Sequence, residues 1–458
     1  MTQIKEKIQS ILNLARNTDF RVINQIESNS INLSRKHFIV GTILELRRIC
    51  TELKIGLKYS DDSVYIYNDK FWERFEKELF CNFLRDFAQK VGIPTYDAFH
   101  FQFLEELYTQ FKSIFFDLNI FEKQKTVKIN LQNGTCLFSN NGITVKDFDK
   151  EDNLRYILPF NYDEDAKCPE FDKYLEFVLP EQQSRESLSE YIGYCLVDNE
   201  TLKLEKVAIL IGQGANGKSV FFDIVSALLG KDNISHISLK NLTEERGIYR
   251  IGIQDKLLNY SSELGRNLET TIFKQLVSGE PVDARNLYKA PITMANYARL
   301  MFNTNEMPSD VEFNDGFFRR FLPIDFKVTI PEEKRDPNLS KKIIENELSG
   351  IFNWALTGLK RLLINKRFTI SDSSKSLLEK FRNSADSVRE FIQEESFVKS
   401  NFNPIVLKEL YKFYNQFCLD YNYRPVGLRK FTDRFRQTGF EMERRNYGYV
   451  VFINKAAA

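Results

Sequence analysis

A glycine-rich stretch between an apolar run and a helical pattern constrains the fold of this chain more than any other feature. The apolar residues Val207–Ile211 predict a buried strand, and residues 220–229, closed by Gly230, predict a helix. The sequence between them reads G-Q-G-A-N-G-K-S, which matches the pattern G-x-x-x-x-G-K-S. In the order strand, loop and helix, this pattern predicts a loop whose backbone N–H groups and helix N-terminus bind phosphate.

This loop predicts a site for ATP with Mg²⁺. We expect Lys218 to reach the terminal phosphates and the hydroxyl of Ser219 to hold the metal. A chance match in a glycine-bearing turn is the alternative, and the flanking strand and helix argue against it. The predicted nucleotide-binding residues are Gly212, Gly214, Ala215, Asn216, Gly217, Lys218, Ser219 and Val220.

Composition restricts the other kinds of chemistry. A length of 458 residues, with 43% hydrophobic and 28% charged residues, is typical of a soluble protein of several domains. The six cysteines lie far apart and the three histidines are isolated, so we expect no zinc site. No apolar run approaches the roughly 20 residues of a membrane span, which predicts a cytoplasmic protein without a membrane partner. Because the net charge is +1, any surface for nucleic acid must be local.

The N-terminal third alternates helical patterns with short strand-like segments. Apolar periodicity from Tyr96 to about Phe116 predicts one long helix. The 40 phenylalanines follow core-like spacing of this kind, so we interpret them as packing rather than as platforms for stacked bases.

Two polar residues follow predicted strands downstream of the loop. Glu263 ends a segment that begins at Lys256, and Asn305 ends a segment that begins at Arg299. Ligands bind at the carboxyl ends of strands in open α/β sheets. We therefore expect Glu263 to polarise the water that attacks the γ-phosphate, and Asn305 to bind that water and the phosphate. A surface glutamate and a turn-forming asparagine are the alternatives.

Two adjacent arginines precede a short apolar strand. An arginine from a neighbouring subunit can stabilise the transition-state charge of phosphoryl transfer. We expect Arg320 to be the first candidate for this role and Arg319 the second, and a structural ion pair is the alternative for either. This interpretation implies a homo-oligomer.

Taken in this order, the elements resemble the superfamily 3 helicases of the AAA+ class, and more closely the phage and plasmid primase-helicases, a group that includes the poxvirus primase-helicase. The resemblance covers roughly residues 128–370. It implies ATP and Mg²⁺ as cofactors and a hexameric ring. One departure is Ser262, which stands before Glu263 where many AAA+ proteins have an acidic pair, so Mg²⁺ is expected to rest mainly on Ser219. The resemblance is carried by the segments 130–134, 159–162, 168–169, 212–219, 262–264 and 304–308.

The same resemblance assigns a role to residues 273–289. In related helicases the corresponding segment forms a hairpin that projects into the channel of the ring and grips DNA. It implies that Arg285, Tyr288 and Lys289 contact a single strand through cations and an aromatic face. A solvated polar loop is the alternative.

The C-terminal part resembles a winged helix. Asp386 is placed to cap a first helix, residues 404–414 predict a second, residues 428–437 a third and residues 440–453 a hairpin. Cations outnumber acidic residues here, which predicts a surface for duplex DNA; a module that contacts only proteins is the alternative. The predicted DNA-binding residues are Arg429, Lys430, Arg434, Arg436, Arg444 and Arg445.

The expected fold is α/β, with an AAA+ P-loop ATPase core. A mostly helical α+β domain over residues 1–155 precedes it, for oligomerisation or DNA contact. The ATPase with its flanking helices spans 156–370, and the winged-helix domain spans 383–455.

The expected function is that of an ATP-dependent, ring-forming DNA helicase of a mobile genetic element, active in replication initiation. An origin-binding initiator or helicase loader, which hydrolyses ATP without processive unwinding, is the nearer alternative. A DNA-binding assembly protein with a structural nucleotide is the other. Residues 1–155 lack a carboxylate cluster for nucleotidyl transfer, so we expect no primer synthesis.

Overall fold

The structure is a computed structural model in which a parallel sheet is preceded and followed by smaller antiparallel sheets. It describes residues 2–27, 31–117, 126–139, 142–262, 264, 269–286, 290–305, 315–384, 386–400, 402, 404–421, 423 and 425–455. None of the helices within these residues combines the length and the apolar character that a membrane span requires.

The N-terminal part packs helices against antiparallel strands. Its described strands form two sheets, each with its strands in chain order, β1 to β3 and β4 to β6. The helices are Thr2–Leu14 (α1), Phe20–Ile23 (α2), Arg35–Glu52 (α3), Lys77–Lys90 (α4), Thr95–Phe99 (α5) and Phe101–Ile114 (α6). The strands are Leu57–Ser60 (β1), Ser63–Tyr67 (β2), Trp72–Phe75 (β3), Val127–Leu131 (β4), Gly134–Ser139 (β5) and Gly142–Lys146 (β6).

The prediction of one long helix from Tyr96 is wrong, because the chain breaks at His100. That residue is extended, with φ −72° and ψ 123°, and it separates α5 from α6. The interpretation of the phenylalanines as packing agrees with Phe80, Phe87 and Phe111, which are fully buried in the helical core of this part.

The central part is a parallel sheet covered on both faces. Its described strands lie in the order β13-β7-β12-β9-β8, and β10 pairs with β11 as a separate antiparallel hairpin. The strands are Val207–Ile211 (β7), Ile234–Ser235 (β8), Leu258–Ser261 (β9), Val282–Ala284 (β10), Ile292–Met294 (β11), Arg299–Thr304 (β12) and Phe321–Asp325 (β13). The helices are Pro169–Val178 (α7), Gln182–Tyr194 (α8), Lys218–Leu229 (α9), Leu239–Leu242 (α10), Thr270–Ser278 (α11), Asp315–Phe318 (α12), Leu339–Asn365 (α13) and Asp372–Ser384 (α14).

Strand β7 shows why the sequence places it at the centre. All five of its residues are buried, because alternate side chains enter two different cores. Ala208 and Leu210 pack with α7, α8, α9 and α13, whereas Ile209 packs with α10 and α11 on the opposite face. A continuous apolar run is typical of a parallel strand that is covered on both faces.

Helix α14 occupies most of the interval between the central and C-terminal parts. Its Phe381 is 2% exposed, and its ring centre lies 4.9 Å from that of Phe318 and 5.6 Å from that of Phe321. The helix therefore packs on the parallel sheet.

The C-terminal part contains the three helices and the hairpin expected from its sequence. Strands β15, β17 and β16 form one antiparallel sheet, and β14 pairs with β18. Asp386 caps α15, since its Oδ1 accepts a hydrogen bond of 3.1 Å from the N–H of Val388. The elements are Ser387–Glu394 (α15), Phe397–Lys399 (β14), Ile405–Val406 (β15), Leu407–Asp420 (α16), Leu428–Gln437 (α17), Met442–Arg445 (β16), Gly448–Val451 (β17) and Ile453–Lys455 (β18).

A buried ionic network joins the N-terminal part to the parallel sheet. The Arg155 guanidinium, on a side chain that is 8% exposed, lies 2.9 Å from Oδ1 of Asp255 and 2.5 Å from Oδ2 of Asp61. The hydroxyl of Tyr65 donates to Oδ2 of Asp255 at 2.7 Å, and Nδ2 of Asn296 donates to Oδ1 at 3.1 Å. Because Asp255 precedes β9 and Asn296 precedes β12, the network fixes the amino edge of the sheet to β2.

We expect Arg155→Met to destabilise this junction by roughly 3 kcal/mol, because it leaves the mostly buried Asp255 carboxylate without its cation. Urea unfolding followed by circular dichroism should show that the first unfolding transition has its midpoint at a lower urea concentration than in wild type. Arg246→Met, at a side chain that is 78% exposed, is the matched control and should leave the midpoint unchanged. Equal midpoints for the two variants would contradict this account of the junction.

Candidate functional site

The loop between β7 and α9 has the backbone shape that its glycines predict. Gly214, Ala215 and Gly217 have φ values of +88°, +47° and +89°, in the left-handed region that glycine adopts without strain. A Cβ on Gly217 would lie 2.9 Å from Cγ1 of Val178, so a side chain at that position would collide with α7. Successive N–H groups in such a loop turn toward one concave side, where an anion binds.

Long-range hydrogen bonds hold this loop in place. The buried amide of Asn216 donates to the carbonyl oxygen of Phe326 at 3.1 Å. The N–H of Ile330 donates to the carbonyl oxygen of Ala215 at 2.7 Å. The chain that follows β13 is therefore bonded to the loop at two points, which the local sequence of the loop does not reveal.

Lys218 begins α9 and its ammonium points back into the loop. The side chain is buried, and Nζ donates to the carbonyl oxygen of Gly212. Burial lowers the pKa of Lys218, because water no longer solvates the charged form fully. A phosphate oxygen in the loop would give this ammonium a negatively charged partner.

The other predicted nucleotide-binding residues lie around the same loop. Ser219 is exposed in the first turn of α9, where its hydroxyl can bind a metal ion together with phosphate oxygens, and Val220 is half-buried beside it. The residues present therefore fit a nucleoside triphosphate and Mg²⁺: a glycine cradle, a buried lysine and a serine at the start of the helix.

Strand β12 brings Asn305 to the edge of the loop. It lies between β7 and β9, with Thr304 opposite Ile211. The N–H of Gly212 donates to the carbonyl oxygen of Thr304 at 3.2 Å, and Asn305 follows as an exposed residue. Glu263, which comes two residues after the end of β9, lies outside the described residues.

The two arginines before β13 have different environments. Nη2 of Arg320 donates to Oγ of Ser278 at 2.8 Å and lies 3.2 Å from Oε2 of Glu205, and the side chain is 9% exposed. Burial lowers the pKa of Arg320. Arg319 shares Glu205 at 3.2 Å, but its side chain is 64% exposed. Because Arg320 is committed to contacts within its own subunit, we place Arg319 ahead of it as the candidate for reaching a neighbour.

Both arginines lie too far from the phosphate loop of their own chain to contact a ligand bound there. Arg320 precedes β13, and its carbonyl oxygen accepts from the N–H of Val207 at the start of β7. The loop follows the opposite end of β7. A five-residue strand is roughly 16 Å long, so the two sites lie at opposite edges of one sheet.

The segment assigned to DNA contact contains the expected hairpin stem. Strands β10 and β11 pair with Val282 opposite Met294, and Arg285 is exposed just beyond β10. Tyr288 and Lys289 lie outside the described residues. Arg250, which the sequence did not single out, braces the stem: its buried Nε donates to the carbonyl oxygen of Asp283 at 2.6 Å.

The C-terminal cations differ in how far their side chains are exposed. Phe431 and Phe435 are buried, and the exposed residues of α17 include Arg429, Lys430 and Arg436. Exposed Arg444 and Arg445 lie on β16, where Arg445 also pairs with Glu443 at 3.2 Å.

Arg434 differs from these cations. It is 14% exposed, and its Nη1 lies 3.3 Å from Oδ1 of Asp386, the residue that caps α15. The charge of Arg434 therefore also holds α17 to α15, and its contact with DNA stays a prediction.

Three known sequence families match successive parts of the chain. Residues 48–180 match a family described as D5 N terminal like, residues 210–320 a family of unknown function, DUF5906, and residues 383–455 a family described as poxvirus D5 protein-like. The chain is also 26% identical over 220 residues to a protein of Acanthamoeba polyphaga mimivirus that is provisionally named helicase L207/L206. That match covers 46% of this chain and 22% of the mimivirus protein, so the chain spans about a fifth of that relative.

Two solved apo structures of the NrS-1 C-terminal region are similar to this chain. One matches 89% of this chain and 98% of its own length, with a TM-score of 0.50 and 12% identity. The other matches 90% of this chain and 98% of its own length, with a TM-score of 0.49 and 11% identity. At such identity the first likeness concerns the fold alone.

We expect Lys218→Met to weaken the binding of inorganic tripolyphosphate about 30-fold, which corresponds to about 2 kcal/mol for one charged hydrogen bond. The lysine is protonated below its pKa, and burial lowers that pKa, so the advantage of wild type over Lys218→Met should shrink as pH rises toward the ordinary lysine value. Titration calorimetry at several pH values measures the difference in binding free energy between the two proteins. Protonation of the ligand affects both proteins equally and cancels in this difference. Exposed Lys231 provides the control variant Lys231→Met. A wild-type advantage that is constant with pH would contradict the role of the Lys218 charge.

Proposed function

The chain is related to the phage and viral primase-helicases, and we propose that it is an ATP-dependent DNA helicase that acts when a mobile genetic element replicates. The observation that carries the proposal is the phosphate loop at the carboxyl edge of the parallel sheet, with the buried Lys218 ammonium directed into it. Asn305 stands beside that loop at the tip of the adjacent strand.

We propose that the parallel sheet with its phosphate loop is the core of an AAA+ ATPase and that the C-terminal part is a winged helix. In the sheet, β12 lies between the loop strand β7 and β9, so a polar residue at its tip can reach the terminal phosphate. We propose that the ATPase spans 156–370 and that the winged helix spans 383–455. The N-terminal part, 1–155, supplies an oligomer contact or a DNA contact.

In this proposal the phosphates of ATP bind the N–H groups of the loop and the ammonium of Lys218. Ser219 would hold Mg²⁺, which supplies positive charge that stabilises the phosphates during hydrolysis. Glu263 and Asn305 orient the attacking water, and the role of Glu263 stays a prediction from sequence. The carboxylate accepts the proton of that water as it attacks.

If Arg319 acts in hydrolysis, it acts at the loop of a second subunit, because it lies at the sheet edge opposite its own loop. An arginine from a neighbour can stabilise the transition-state charge on the phosphates. We therefore propose a closed homo-oligomer, a hexamer by resemblance, in which ATP binds between subunits.

Two surfaces are proposed to contact DNA. The hairpin of β10 and β11 carries Arg285, and by resemblance Arg285, Tyr288 and Lys289 of this segment would hold a single strand. Its stem is braced by Arg250, so movement of this part of the ATPase moves the hairpin. The exposed cations of α17 and β16 would hold duplex DNA through its phosphates.

Strand displacement of a fluorescent forked duplex tests the proposal, with ATP hydrolysis followed in the same samples. We expect Lys218→Ala to lose both activities, because the phosphates lose their cation. Lys289→Ala should lose displacement and retain hydrolysis, because only the DNA contact is removed. If the wild-type chain hydrolyses ATP and binds duplex DNA without displacing a strand, it is instead an initiator or loader, a reading that the exposed cations of α17 favour.

We expect Arg319→Ala to lower the rate of ATP hydrolysis about 1000-fold, as for an arginine supplied in trans. Mixing Arg319→Ala with Lys218→Ala should restore part of the rate, since an intact loop then meets an intact arginine at some interfaces. Arg320→Ala should instead lower the melting temperature, because it removes the buried contacts to Ser278 and Glu205. The absence of any recovery on mixing would contradict catalysis in trans.

A further inference from the structure

The side chain of Phe177 is exposed in the last turn of α7, the helix whose Tyr174 and Val178 border the phosphate loop at Gly217. Residues three apart are neighbours on a helix surface, so Phe177 lies next to Tyr174, whereas the adjacent residues Phe177 and Val178 point about 100° apart. Tyr174 is 5% exposed and Val178 0%, whereas Phe177 is 40% exposed. The hydroxyl of Tyr174 donates to the carbonyl oxygen of Gly217 at 2.8 Å. Because Tyr174 and Val178 border Gly217, Phe177, which lies between them in the chain, presents an exposed ring at the rim of the loop next to its last glycine.

The chain after β13 forms a second wall at this rim. It is bonded to the loop through Phe326 and Ile330, as described above, and it then brings the exposed Lys334 back over α7. Nζ of Lys334 lies 5.7 Å from the centre of the Phe177 ring. A planar base in contact with both walls needs about 7 Å between them, at roughly 3.5 Å per contact. The long lysine side chain can open that gap by a small rotation.

The direction of a bound triphosphate points to this rim. The reactive end must face Asn305 on β12, which is one neighbour of β7. The other neighbour of β7 is β13, so the opposite end of the ligand leaves the loop on the side of α7 and of the chain that follows β13. The walls formed by Phe177 and Lys334 stand on that side.

We propose that Phe177 is the platform on which the nucleobase stacks, with Lys334 closing over its other face. This inference rests on the proposed binding of ATP and adds a residue that distinguishes a nucleotide from a bare polyphosphate. Because every base has a π face, the platform accepts ATP and GTP alike and does not select adenine over guanine.

Titration calorimetry of the full chain with ATP, GTP and inorganic tripolyphosphate tests the platform. Phe177→Ala should weaken ATP and GTP alike by about tenfold, within the range of one base stacked on an aromatic side chain. It should leave the affinity for tripolyphosphate unchanged, because that ligand has no base. Phe177→Trp should retain the affinity for ATP. Phe413→Ala is the matched control, since Phe413 is a phenylalanine on α16 that is 63% exposed and remote in sequence from the loop.

Two results would overturn the platform while leaving the proposed function intact. One is an ATP affinity that Phe177→Ala does not change. The other is an equal loss of ATP and tripolyphosphate, which would show that the substitution distorts the loop. A wild-type chain that binds neither ligand would refute the proposed function itself, and the platform with it.

Discussion

The buried hydrogen bond from the Asn216 amide to the Phe326 carbonyl oxygen ties the phosphate loop to the end of the neighbouring strand β13, and the candidate site depends on it. A loop rich in glycine loses much conformational entropy when it is ordered. Here the cost is met within the fold, because Ala215 and Gly212 are also bonded to chain segments that follow β13 and end β12. An anion therefore meets a loop that is already shaped, which favours tighter binding.

The parallel sheet positions residues that are distant in sequence relative to the phosphate loop. Since β7 is covered on both faces, its register with β12 and β13 is strongly specified. The register with β12 sets the distance from the loop to Asn305. The register with β13 sets the side on which Arg319 is presented. One buried strand thus determines where both the phosphate end and the base end of a ligand can lie.

The features that the sequence predicted well are those with local signals. The loop, its strand and its helix carry their own glycine and apolar patterns, and helix α17 begins and ends where its periodicity does. The ion pairs of Arg320 and Arg434 were not predicted, because their partners, Glu205 and Asp386, lie far away in the sequence. The local sequence around an arginine is the same whether its side chain faces solvent or pairs with a buried carboxylate. Phe177 was missed for a similar reason, since its neighbour Lys334 lies on the distant chain segment after β13.

The opposite placement of Lys218 and Arg319 gives each subunit a polarity. If one sheet edge accepts an arginine and the other edge donates one, the contact between copies is heterologous, with a different surface on each side. Repetition of such a contact closes into a ring or continues as an open helix, depending on the rotation per subunit. Every open assembly then has one terminal subunit whose loop lacks a neighbouring arginine. When the assembly closes into a ring, no subunit is terminal, so every loop then has a neighbouring arginine.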